Sequence, residues 1–98
     1  MLKKIKTQEE LDSLVKEGTW LVDFSATWCG PCRMLEPVLD NVSGNNNVIK
    51  IDVDESPDVA SRYGVMSIPT LIVFKDGKEI SKNLGFMPEE EILKMLNE

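Results

Sequence analysis

Apolar residues recur along this chain at two spacings, and the switches between them predict the order of elements. Leu2 to Ile5 reads as a short edge strand. Thr7, followed three residues later by Glu10, has the form of a capping box, and Leu11, Leu14 and Val15 continue as an apolar stripe at helical spacing until Gly18. Trp20 to Phe24 is apolar almost throughout, which suits a central strand covered on both faces, with Asp23 as its one charge. Helical spacing then returns in Met34, Leu35, Val38, Leu39 and Val42, as far as about Ser43. Pro37 falls inside that run and predicts one bent helix rather than two.

Ser43 to Asn47 (SGNNN) has loop composition. Val48 to Val53 alternates, with Ile49, Ile51 and Val53 on one face and Lys50 and Asp52 on the other. Pro57 to Tyr63 is a short helix ending at Gly64, with Ser56 as its cap. Thr70 to Lys75 is a second buried strand, and Asp76-Gly77 is a hairpin signal that returns the chain through Glu79 to Leu84. Pro88 opens a last helix that buries Ile92, Leu93, Met95 and Leu96. The order βαβαβαββα predicts an α/β fold: right-handed crossovers, a central mixed sheet flanked by helices on both faces, and one antiparallel hairpin closing it. Open sheets of this kind place their sites at the carboxyl ends of the strands, and the strand carrying Asp23 runs directly into Cys29.

Composition narrows the function classes. A chain of 98 residues suits a single domain spanning 1–98, and 42% hydrophobic with 29% charged residues describes a folded globule rather than a disordered segment. Net charge of −6, from 17 acidic against 11 basic residues, argues against binding a nucleic-acid backbone. No apolar run approaches bilayer-spanning length, and the opening MLKKIKTQEE lacks the apolar core of a secretory signal, so no membrane role and a cytoplasmic location are expected.

Both cysteines of the chain lie in WCGPC, Trp28 to Cys32. If Gly30 and Pro31 form the first turn of a helix, Cys29 sits at the helix N-terminus and Cys32 one turn on, within reach of one another. Unpaired backbone N–H groups and the positive dipole end favour a thiolate at Cys29. Pro31 suits that turn because its missing N–H costs nothing there. A structural staple is a poor rival, since so short a loop removes only roughly 2 kcal/mol of unfolded-chain entropy. An intrachain zinc site lacks ligands: the sequence has no second cysteine pair and no histidine. A redox dithiol in a reducing compartment is the better reading.

Asp23 shares a strand face with Leu21 and Ser25. It is read as buried, with a raised pKa unless Lys50 offsets the effect; the alternative is a strand-end carboxylate turned to water. Pro69 could simply open a strand, and Trp20 reads as core, whereas Trp28 stands beside the thiol.

VDFSATWCGPC, the lysine of VIKIDVD, YGVMSIPT, the FKDG hairpin and the late glycine of LGF occur in an order, and over nearly the whole chain, that resembles the thioredoxin family. Arg33, Ser25 and Ser67 stand where many members carry lysine, a large aromatic and glycine. The resemblance implies a thioredoxin fold and a thiol-disulfide oxidoreductase that reduces protein disulfides through a Cys29–Cys32 redox disulfide. Cys29 is then the exposed attacking thiolate and Cys32 the resolving thiol, spaced by Gly30 and Pro31. Asp23 moves the proton of Cys32, Lys50 tunes Asp23, and Pro69 is a cis-proline facing the sulfurs. Trp28, Ser67, Ile68, Gly85 and Phe86 form the substrate-binding surface. Partners implied are disulfide-containing proteins and a thioredoxin reductase, with a monomer, no cofactor and no metal expected. An oxidase or isomerase, and a non-catalytic subunit using the same fold as a rigid partner, are the competing readings.

Overall fold

A computed structural model describes all residues, 1–98. In chain order the elements are β1 (Leu2–Lys4), α1 (Gln8–Val15), β2 (Thr19–Ser25), α2 (Gly30–Val42), β3 (Asn47–Asp52), α3 (Pro57–Arg62), β4 (Thr70–Lys75), β5 (Lys78–Leu84) and α4 (Glu89–Leu96). They form a five-stranded mixed sheet in the order β1-β3-β2-β4-β5. The central strand β2 runs parallel to β3 and antiparallel to β4.

Alternation along β2 divides the core into two layers. Trp20, Val22 and Phe24 join Ile49, Ile51, Ile72 and Phe74 under α1 and α3, with Leu11, Val15, Val59 and Ala60 from those helices. Leu21 points the other way and meets Val48, Leu71 and Val73 under α2 and α4, which contribute Leu35, Leu39, Val42, Ile92, Met95 and Leu96. Asp23 belongs to this second face by the period of the strand.

The capping box at Thr7 is present in full: Thr7 Oγ1 accepts from the Glu10 backbone N–H at 3.2 Å, and the Thr7 N–H donates to Glu10 Oε1 at 3.2 Å. Helix α2 is continuous through Pro37. The Asp76-Gly77 turn, with φ of 49° and 85°, is tied to the α1–β2 corner: the Gly18 N–H donates to Asp76 Oδ1 at 2.8 Å.

Six expectations change. Strand β4 is antiparallel to β2 as well as to β5, so antiparallel pairing is not confined to a closing hairpin. Between the end of β3 at Asp52 and the start of β4 at Thr70 the chain passes through α3 and the segment that ends in the cis Ile68–Pro69 peptide. The chain re-enters the sheet from the edge at which β3 left it. Strand β3 starts at Asn47 and stops at Asp52, which leaves Val53 beyond its end. Ser56 makes no side-chain cap for α3, because its buried hydroxyl donates to the Lys6 carbonyl at 2.7 Å. Pro88 occupies the cap position before α4 rather than its first turn, and Leu93 is only half-buried. Strand β5 begins one residue earlier than expected, at Lys78.

Candidate active site

The carboxyl end of β2 passes through Ala26, Thr27 and Trp28 into the cap of α2. Cys29 is that cap, in extended conformation, and Pro31 stands in the first turn. Cys29 Sγ accepts from the Cys32 backbone N–H at 3.2 Å, so the sulfur occupies the position that a serine or aspartate oxygen takes at an ordinary helix start. The Cys29–Cys32 disulfide is formed, with Cα atoms 5.2 Å apart. Around the bridge pack Ala26, Val53 and Ile68.

The antiparallel entry of β4 brings the segment before it to the same edge. Cys29 Sγ lies 3.9 Å from the Ile68 carbonyl oxygen, and the Ile68–Pro69 peptide is cis. Thr70, fully buried, donates its hydroxyl to the Ser67 carbonyl at 2.6 Å and fixes that turn from below. Gly85, at φ 91°, donates its N–H to the Pro69 carbonyl at 2.8 Å, so the end of β5 closes the third side. Trp28, Met34, Met66 and Phe86 expose apolar surface, Met66 almost completely at 97%.

Cys29 differs from its expectation. It is 5% exposed, close to the 3% of Cys32, rather than an openly exposed sulfur. Packing against Ala26, Val53 and Ile68 accounts for this, and what separates the two sulfurs is the helix N–H on Cys29, not solvent access.

Asp23 lies on the α2 face of β2, 1% exposed, and its Oδ1 has no hydrogen-bond partner. Burial raises its pKa from 3.8 to about 7. The Lys50 ammonium opposes that rise, Glu36 adds to it, and the Ser25 hydroxyl opposes it weakly. Lys50 is the register partner of Asp23 on β3, and its ammonium stands 3.8 Å from Glu36 Oε1. The contacts thus join Cys29, Cys32, Ile68, Pro69 and Gly85 at one edge, and Asp23 and Lys50 are partners on adjoining strands. No group of three or more His, Cys, Asp or Glu side chains is placed to hold a metal ion.

Two participants escaped the sequence. Asp54 Oδ2 accepts from Trp28 Nε1–H at 2.8 Å and holds the exposed indole. Glu36 reads from its position only as a polar residue on α2. No local signal marks either; the Cys32-to-Glu36 spacing of one helical turn comes nearest.

The sequence profile of the family described as Thioredoxin matches residues 3–98. This chain belongs to the thioredoxin family. Thioredoxin of Staphylococcus aureus (strain Mu50 / ATCC 700699) is 50% identical over 95 residues, which cover 93% of this chain and 91% of the relative. Among solved structures, a mutant thioredoxin from Halobacterium salinarum NRC-1 superposes with a TM-score of 0.95 at 38% identity, over 98% of this chain and 88% of that one. The oxidized form of mitochondrial thioredoxin 3 from Saccharomyces cerevisiae gives 0.88 at 35% identity, over 98% and 93%. Thioredoxins are disulfide oxidoreductases, and the Cys29–Cys32 pair supplies this chain with the dithiol of a protein-disulfide reductase.

Proposed function

We propose that the chain, working as a single domain, reduces protein disulfides in two exchange steps and is then recycled by a thioredoxin reductase. In the first, the Cys29 thiolate attacks one sulfur of a substrate disulfide; a Cys29–substrate mixed disulfide forms and the other substrate sulfur leaves as a thiolate. In the second, Cys32 gives up its proton to the Asp23 carboxylate and attacks Cys29 Sγ, which closes the Cys29–Cys32 bridge and releases the second substrate thiolate. Two electrons pass to the substrate, and the reductase returns them. The observation that carries this reading is the seat of Cys29: its sulfur accepts the Cys32 N–H in the first turn of α2, where negative charge is favoured, beside the Ile68 carbonyl.

Each remaining residue has a part that follows from its place. Lys50 adjusts the proton affinity of Asp23. Gly30 and Pro31 hold the two sulfurs one turn apart, and Pro69 flanks them. Trp28, Ser67, Ile68, Gly85 and Phe86 are the surface on which a substrate chain is held, with backbone groups at Ile68 available to an extended segment. The chain acts as a monomer on disulfide-containing proteins, without a cofactor, as an electron carrier of the cytoplasm. No helix is long and apolar enough to cross a membrane.

Reduction of a disulfide-bonded protein, with a small dithiol as electron source, tests the reading. Cys29→Ser should abolish it, and Cys32→Ser should accumulate a covalent adduct through Cys29 that a reductant releases. An adduct formed through Cys32 in the Cys29→Ser protein, at a comparable rate, would overturn the assignment of the nucleophile.

A further inference from the structure

A groove of about 220 Å³ has Lys4, Lys6, Glu36, Lys50, Asp52 and Glu55 as its charged lining residues, and Ala26, which packs with the disulfide, also lines it. Asp23 stands two residues before Ser25, a further lining residue, on the same face of β2. Lys50 is its register partner, with a side chain only 15% exposed, so the reach of that ammonium is restricted to the groove and its walls. Two carboxylates compete for it. Glu36 takes it, at 3.8 Å, while Asp23 Oδ1 is left buried and unpaired. Glu36 stands one helical turn after Cys32, which places the competing carboxylate next to the thiol whose proton must move.

We propose that Glu36 is a positioning residue for proton transfer: by holding the Lys50 ammonium at the groove, it keeps that cation off Asp23 and leaves Asp23 a strong enough base to accept the proton of Cys32. The proposal rests on the reading of Asp23 as that acceptor.

The other groups facing Asp23 cannot take over the role. From β4 the register neighbour is Leu71, and α4 presents Ile92, Met95 and Leu96 to this layer. On β1, Lys4 is the register partner of Lys50, one strand further out. Asp52 Oδ1 accepts from the Asp54 N–H at 2.8 Å, and Lys6 is paired with Glu55 at 3.3 Å. From α2 the charged group that acts on Asp23 is Glu36. Lys50 is thus the cation within reach of Asp23, and Glu36 the acid that diverts it. The direction of the electrostatics agrees, since Lys50 lowers the proton affinity of Asp23 and Glu36 raises it.

The test follows the Asp23 carboxyl by carbon-13 NMR across pH in the reduced protein, together with the pH profile of single-turnover closure of the mixed disulfide. Glu36→Gln should move both midpoints down by roughly 0.1 to 0.7 unit, as expected for a half-exposed ion pair. Glu36→Asp keeps the charge but shortens the reach, and should move them nearly as far. In a Lys50→Met background, Glu36→Gln should lose more than half of its effect. An unmoved carboxyl midpoint, a Glu36→Asp protein like the parent, or an undiminished shift without Lys50 would each overturn the proposal. A carboxyl midpoint that moves while the closure profile stays fixed would support the positioning by Glu36 and refute instead the role of Asp23 as proton acceptor.

Discussion

Asp23 is a buried carboxyl group with no hydrogen-bond partner on Oδ1, and its cost to the fold depends on pH. The folded chain holds this proton up to about pH 7, whereas the unfolded chain releases it near 3.8. Between those values the native state binds more protons, so stability falls as pH rises through the window and is flat with respect to this group on either side. A shift of this size corresponds to an effect on the order of 4 kcal/mol. Asp23→Ala should therefore stabilise the protein at pH 8 by a few kcal/mol, lose that gain near pH 4, and slow disulfide reduction. Urea unfolding at the two pH values checks it; an equal gain at both would assign the effect to packing instead. At this scale the sequence was informative where chemistry is local. A charge inside WLVDF and two sulfurs three apart declare themselves, because each violates or satisfies a rule within a few residues. Glu36 and Asp54 do not, since their partners, Lys50 and Trp28, come from other elements and only the folded register brings them together.

Among the elements, α1 shows how a short helix is fixed by its ends. Its eight residues are too few to be stable alone, and the reciprocal bonds between Thr7 and Glu10 satisfy donors that would otherwise face water or nothing. The Lys6 backbone N–H, then the Thr7 hydroxyl and N–H, hold the Glu10 carboxylate below its ordinary pKa. Thr7→Ala should lower the stability of the whole chain by about 1 kcal/mol, read as a shift in the denaturation midpoint with activity retained. The elements themselves were legible because periodicity is a property of a dozen neighbouring residues. Strand direction was not. That β4 returns antiparallel is set by its pairing with β2 across the sheet, and the pattern of PDVASRYG says only that a helix is there. The same limit explains Ser56, whose hydroxyl found the Lys6 carbonyl across the fold before it could cap its own helix.

At the scale of the molecule, the reversal at β4 is what assembles the site: it sets Ile68 and Pro69 against Cys29 and lets Gly85 close on Pro69. The stability of the whole rests on the two apolar layers, not on the bridge between Cys29 and Cys32, which encloses a sequence separation of 3. By loop entropy so small a closure is worth about 2 kcal/mol at most. Oxidised and reduced protein should therefore unfold within about 2 kcal/mol of one another when urea midpoints are compared with and without reductant. A much larger gap would make the bridge a structural staple after all. The family relationship was visible in the sequence for a matching reason, since WCGPC and SIPT are the two stretches that must meet at this edge whatever the packing behind them.

Helix α2 has one further consequence. Its 13 residues carry the chain about 20 Å from the sulfur to the turn at Ser43–Asn46, where Asn45 is exposed. The working rim and this turn are thus opposite poles of a body small enough to orient as a unit. A tether fixed through Asn45 to a bead or electrode would present every copy with its sulfur outward, ready to meet a protein from solution.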